Sequence, residues 1–256
     1  MSSTPLFRKP QALRRGDPVA IIAPAGPFDR ESFDAGLALI AQRYRVRYDE
    51  HLFDRYRYLA GADERRLAQL AGALQDPEIK AIFCARGGYG AMRLLAGLTP
   101  LPQHQPLKPL VGFSDITALH QWLQSQGVVS IHGPVVTQFG RQAQGPRDRL
   151  FSLLESPLPA APLSGTATYV GGRVKGPLIG GNLTVFTQLL GTPFLPPLTG
   201  SILLIEDVGE RPYRLDRMWK HLELAGIFGK IAGIVMGSFS HCEQKEASYR
   251  STDVLR

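Results

Sequence analysis

Cysteine is scarce in this sequence, two in 256 residues. Cys84 and Cys242 are too few for a disulfide framework or a zinc site, and they suit a reducing cytosol. Both read as small buried hydrophobes. A run of about 18 apolar residues is missing, which argues against a spanning helix. The opening MSSTPLFRKPQALRRGDP has basic residues but no apolar stretch after them, so no secretory signal is expected. Acidic residues are in deficit, 22 against 29 basic, for a formal charge of +7. The basic residues are spread out, in short clusters such as Arg14-Arg15 and Arg43, Arg45, Arg47. With no arginine-rich run, aromatic RNP-like motif or zinc finger, nucleic acid is not an expected partner. A solvated basic surface is the simpler reading, and an acidic ligand the alternative.

What is present is an ordinary globular composition, 44% hydrophobic and 20% charged, with length enough for one large domain or two modest ones. From residue 18 to 155 strand and helix patterns alternate. PVAIIAP reads as a buried strand, and Phe33, Leu37 and Ile40 mark one face of the helix that follows. YRVRY, IKAIFCA, LKPLVGF and VVSIHGP read as four more strands. Asp63 is placed to cap a helix carrying Leu67, Leu70 and Leu74, and Ile116, Leu119 and Leu123 set the period of another that stops at Gly127. Alternation of this kind predicts an α/β fold, a parallel sheet with helices on both faces, whose ligands bind beyond the carboxyl ends of the strands.

The stretch 156–166, SPLPAAPLSGT, reads as a linker between an amino-terminal domain, 1–155, and a smaller strand-rich mixed domain, 167–256. Strands are expected there at ATYV, around Val174, at SILLIED and at KIAGIVMGSF, with helices near 182–190 and 213–225. STDVLR begins like a capped helix and stops within two turns, too short to bury much, so further chain is expected beyond Arg256.

Three features can carry chemistry. In VGFSDITALH, Ser114 stands between a strand and a helix, where free N–H groups and the helix dipole favour negative charge. It is either a helix cap or the nucleophile of a strand–turn–helix elbow, whose G-x-S-x-G pattern is met except that Ile116 replaces the last glycine. In ARGGYGAMRLL, Gly87, Gly88 and Gly90 lie between a strand and a helix. They form an anion site, an oxyanion hole or simply a tight turn. Neither a G-x-G-x-x-G spacing nor a P-loop lysine accompanies them. In SILLIEDVGERPYRL, Glu206 and Asp207 end an apolar strand. No His/Asp cluster is at hand to complete a metal site. A carboxylate that orients a histidine and a solvated strand end are the two readings left.

Of the six histidines, His51, His104 and His221 fall in polar segments, and His120 is set on a different helix face from Ser114. His132, in SIHGP, and His241, in SFSHCE, follow strands, and a structural role suits both better than that of a base.

Five segments taken in order, GFSDITALH with RGGYGAMRLL, IHGP, GGNLTVFTQLLGTPF and IEDVGERPYRLDRM, resemble the LD-carboxypeptidases, the muramoyltetrapeptide carboxypeptidases and the related microcin C immunity peptidases. The resemblance runs from about Asp17 onward. It implies a cofactor-free, metal-free cytoplasmic serine peptidase, typically a homodimer, that releases terminal D-alanine from murein peptide at an L,D bond. It implies further that Ser114 is the nucleophile, Glu206 the triad carboxylate, and the amides of Gly88 and Asp115 the oxyanion donors. Arg86 is a candidate for the substrate's terminal carboxylate, since a guanidinium fork suits that group; a structural ion pair is its other reading. Asn182, at a probable helix start, reads as structural. In this family the triad histidine follows the stretch resembling VMGSFSHCE by one strand and one helix. The base is therefore expected beyond residue 256, His241 does not inherit the role, and residues 1–256 alone are expected to show little or no peptidase activity. A microcin-type peptidyl-nucleotide peptidase and a non-enzymatic anion-binding module are the alternatives.

Overall fold

Apolar runs with no polar alternation make the central strands of the first sheet. PVAII and AIFC are buried at every position, as strands covered on both faces must be. A computed structural model describes residues 7–102, 105–158, 161–243 and 249–255; His104 lies outside them. Strands β1 (Pro18–Ile22), β2 (Arg45–Arg47), β3 (Ala81–Cys84), β4 (Leu110–Gly112) and β5 (Ile131–His132) form a parallel sheet in the order β2-β1-β3-β4-β5. Helices α1 (Arg30–Ala41), α4 (Val136–Phe139) and α5 (Gln144–Glu155) cover one face, and α2 (Asp63–Gln75) and α3 (Thr117–Ser125) the other. Side chains alternate between the two cores: Val19, Ile21, Ala81 and Phe83 point to one, Ala20, Ile22, Ile82 and Cys84 to the other.

A second parallel sheet, β6-β7-β8, is built from Leu178–Asn182, Ile202–Val208 and Gly233–Ser240. It packs with α6 (Leu183–Gln188), α7 (Pro212–Leu224) and a short 3-10 helix at Ser251–Leu255 around Ile179, Leu203, Ile205, Leu215 and Leu222. The molecule is thus α/β throughout. Helix α6 ties the halves together, because Val185 and Leu189 belong to the core of the first sheet. Hydrogen bonds join the halves as well: Gln121 donates through Nε2 to the carbonyl of Gly180 (2.9 Å), and the amide of Asn182 to Thr117 Oγ1 (2.9 Å).

Three local expectations are corrected. ATYV and the residues around Val174 form no strand; 167–175 are exposed, and β-branched residues without a partner strand or a surface to pack on have nothing to hold them extended. Asp63 does not cap α2. Ala62 occupies the cap and Asp63 opens the helix, its carboxylate engaged instead by Arg66 and Arg93. The glycine turn opens into a 3-10 helix at Ala91–Gly97 rather than an α-helix.

Candidate active site

Strand β4 stops at Gly112, and Ser114 begins a 3-10 turn (Ser114–Ile116) that runs directly into α3. The φ of Ser114 is +62°, in the left-handed region, which costs an L-residue about 1–3 kcal/mol and persists only where its surroundings impose it. They do here. Ile116, two residues on, is fully buried, and His120, one turn further, donates through Nε2 to the carbonyl of Gly112 (2.8 Å) while its Nδ1 meets Ser130 Oγ (2.8 Å). His120 therefore braces the back of the turn. Burial pushes its pKa down to about 3, so the imidazole is neutral.

The glycine turn lies against the serine. A Cβ built on Gly87 would stand 2.9 Å from Ser114 Cβ and 3.1 Å from its Oγ, closer than real side chains approach. Only glycine lets the backbone come this near the hydroxyl. Gly88 follows with φ +101°. Arg86 is exposed and donates to the carbonyl of Pro27; among the described residues it forms no ion pair. The side chain of Asp115 turns away from the hydroxyl into the protein, where it accepts from the amide of Ala91 (2.6 Å). Burial raises its pKa to about 6.

Glu206 reaches this rim from the other sheet. Ile205 pairs with Met236 but Asp207 with Phe239, so β8 carries one extra residue opposite Glu206. Such a bulge re-aims the side chain beside it. The two carboxylates that were equivalent in the sequence now separate. Asp207 accepts from Asn182 Nδ2 (3.0 Å) and from the amide and hydroxyl of Thr184 (2.9 and 2.8 Å), which fixes the start of α6. Asn182 caps that helix by accepting from the amide of Val185 (3.1 Å). Glu206 is left with Oε1 buried and without a hydrogen-bond partner among the described residues. Burial first, then the charge of Asp207, raises its pKa to about 7.

His132 stands between the halves. Its Nε2 is 3.9 Å from Glu206 Oε1, too far for a hydrogen bond. Burial lowers its pKa to about 4, so the pair carries no imidazolium at neutral pH. In the sheet His132 is the register partner of Gly112, and its ring meets Phe113, the residue before Ser114, edge to face at 6.3 Å. Asn182, the register partner of Glu206, bonds Thr117 three residues after Ser114. Ser114, Gly87, His132 and Glu206 therefore share one rim, at the carboxyl ends of both sheets. His51, His221 and His241 are exposed elsewhere, and no group of three metal-ligating side chains occurs among the described residues. No described helix is long and apolar enough to cross a membrane.

Known proteins resemble this arrangement along most of the chain. Residues 19–133 match the LD-carboxypeptidase N-terminal domain and residues 175–256 the LD-carboxypeptidase C-terminal domain. The murein tetrapeptide carboxypeptidase of Pseudomonas aeruginosa is 39% identical over 250 residues, 90% of this chain and 79% of that protein. The crystal structure of muramoyltetrapeptide carboxypeptidase from Oxalobacter formigenes superposes with a TM-score of 0.82 at 31% identity, covering 93% of this chain and 82% of that one. The microcin C7 self-immunity protein MccF, in complex with aspartyl sulfamoyl adenosine, shares the fold with a TM-score of 0.85 at 22% identity, covering 98% of this chain and 85% of that one.

Proposed function

Since the chain belongs to the LD-carboxypeptidase family and is a carboxypeptidase, we propose that it cleaves the bond between the L-centre of a diamino acid and a terminal D-alanine in murein tetrapeptide, as a cytoplasmic homodimer. Ser114 is the nucleophile. Its Oγ bonds to the scissile carbonyl carbon as its proton passes to a histidine base that Glu206 orients. The oxyanion so formed is held by the amides of Gly88 and Asp115. Collapse breaks the C–N bond, D-alanine leaves with the proton from the imidazole, and water then hydrolyses the acyl-serine by the same relay. Arg86 faces the terminal carboxylate of the substrate.

The observation that carries this reading is Ser114 itself: a serine forced into the left-handed region at a strand end, with a glycine turn pressed on its hydroxyl. Glu206 supports it, a buried carboxylate with an unpartnered oxygen that gains a counter-ion when an imidazole beside it takes up a proton. The test is D-alanine release from the tetrapeptide by the protein translated from its full reading frame. Ser114→Ala is expected to lower kcat by about 10⁴-fold or more, and Glu206→Gln by about 10³–10⁴-fold. Release that survives Ser114→Ala overturns the proposal.

A second reading, hydrolysis of peptidyl nucleotides, has one feature in its favour. Tyr58 and Tyr89, 57% and 49% exposed, meet edge to face at 5.6 Å next to Gly88, an aromatic surface on which a base can stack. Cleavage of an aminoacyl sulfamoyl adenosine in preference to the tetrapeptide would select it.

A further inference from the structure

Arg66 is a charged residue on the buried stripe of α2, fully inaccessible to solvent. Its Nη2 pairs with Asp63, and its Nη1 donates to the carbonyls of Pro24, just past β1, and of Gly90 (2.9 Å). The peptide group that carries the Gly90 carbonyl also carries the amide of Ala91, and that amide donates to the Asp115 carboxylate (2.6 Å). One peptide plane is thus gripped at both ends, by a buried cation on its oxygen and a buried anion on its N–H. Gly90 has φ +133°, a conformation reserved for glycine, and the space a Cβ would need is filled by Arg66 Nη1 (2.7 Å) and Leu59 Cδ2 (2.6 Å).

We propose that Arg66 and the Asp115 side chain are positioning residues, which clamp the Gly90–Ala91 peptide between them and so hold the Gly87–Gly88 backbone in oxyanion-binding register with Ser114. The inference rests on the peptidase reading above. Asp115 then acts twice, its amide toward the oxyanion and its carboxylate toward the turn that bears the other donor. Both charges are met inside the protein, Arg66 by Asp63 and two carbonyls and Asp115 by a backbone N–H, while Arg66 Nε stays buried without a partner among the described residues.

A clamp on oxyanion donors acts on the transition state and leaves substrate affinity alone. Arg66→Met and Asp115→Leu, which removes the acceptor for the Ala91 amide, are each expected to lower kcat for D-alanine release about 10–100-fold with KM within about twofold. Both variants release the same peptide, so the double variant is expected to be no worse than the poorer single one. Arg66→Lys, which keeps a donor for Gly90, is expected to recover part of the loss. A raised KM with unchanged kcat, or single losses that multiply in the double variant, overturns the clamp. Should Arg66→Met fail to fold, Asp115→Leu, close to aspartate in shape but without an acceptor, decides by kinetics and by amide hydrogen exchange. Exchange at Gly88 and Ala91 is expected to quicken while the β1 and β3 amides stay protected; unchanged exchange overturns the proposal. Ser114→Ala separates the two levels. Release that persists in it sinks the peptidase reading, whereas Ser114-dependent release untouched by Asp115→Leu sinks the clamp alone.

Discussion

In the five-stranded sheet, β1, β3 and β4 are buried along their whole length; in the three-stranded sheet, β8 has only half-buried and exposed positions. The better-covered sheet supplies the strained residue. A left-handed serine persists only where neighbours over-determine it, and Ser114 is bounded by Gly87, buried Ile116 and the His120 brace. The thinly covered sheet supplies the group that must adapt, a carboxylate aimed by a bulge at the junction with its most exposed strand. The serine is pinned by its neighbours, whereas the carboxylate is buried with one oxygen that no hydrogen bond holds. That division suits the proposed mechanism, in which one atom attacks from a fixed place and the other meets the charge of an imidazole.

The sharpest way to break this contrast is to hollow out the first sheet's packing. Phe33 is fully buried, with the rings of Phe28, Tyr48 and Phe53 at 5.4, 5.4 and 5.1 Å. Phe33→Ala is expected to cost about 3–5 kcal/mol in urea unfolding. A loss below about 1 kcal/mol would mean that this core collapses onto the gap and is no more rigid than its neighbour.

Glu206→Gln probes the other side, and its effect depends on pH. The folded pKa is raised from 4.5 to about 7, so the folded protein holds a proton that the unfolded chain releases. Stability from this group is therefore complete below about pH 4.5 and is lost as pH rises through 7. Glutamine removes the loss: the variant is expected to match the parent at pH 4.5 and to exceed it by about 1–3 kcal/mol at pH 8. His132 and His120, both depressed by burial, act in the opposite sense, their contributions falling away as pH drops through about 4 and about 3 respectively. They are common to both proteins and cancel in the difference. A stability gap that does not grow between pH 5 and 8 would show that the carboxylate finds a partner in solution. The smallest effect belongs to β8: Ile234→Thr, at a partly exposed position on the edge strand, is expected to change stability by no more than about 0.5 kcal/mol. A larger loss would show that this face is covered in solution.

How much was legible beforehand differs residue by residue. Four strands of the first sheet could be read because each holds a short apolar run, β2 because polar and apolar residues alternate in YRVRY, and the turn at Ser114 because strand chemistry gives way there to a helical period. Helices α4 and α5 were not read. The first is four residues long, and the buried Leu150, Phe151 and Leu154 of the second make a stripe too short to register. The strands expected at ATYV and near Val174 failed because β-branched residues argue for extension only when a partner lies alongside. Arg66 left a signal that went unused, a cation in register with Leu70, Ala73 and Leu74 on the apolar face of α2. Asp63, three residues before it, was a visible partner, but the two backbone carbonyls it also grips leave no trace in side-chain chemistry.

Local pattern by itself determined the alternation of strands and helices, the serine at a strand end, a glycine turn after another strand and a carboxylate pair at the end of a later apolar strand. These follow from hydrophobic period and from backbone freedom, which are properties of neighbouring residues. Only the tertiary structure decided which carboxylate of the pair stays free, which histidines brace and which face the rim, and that a buried arginine and an aspartate hold one peptide between them. Those outcomes depend on distances between segments far apart in the chain, and on the burial that sets what each charge costs.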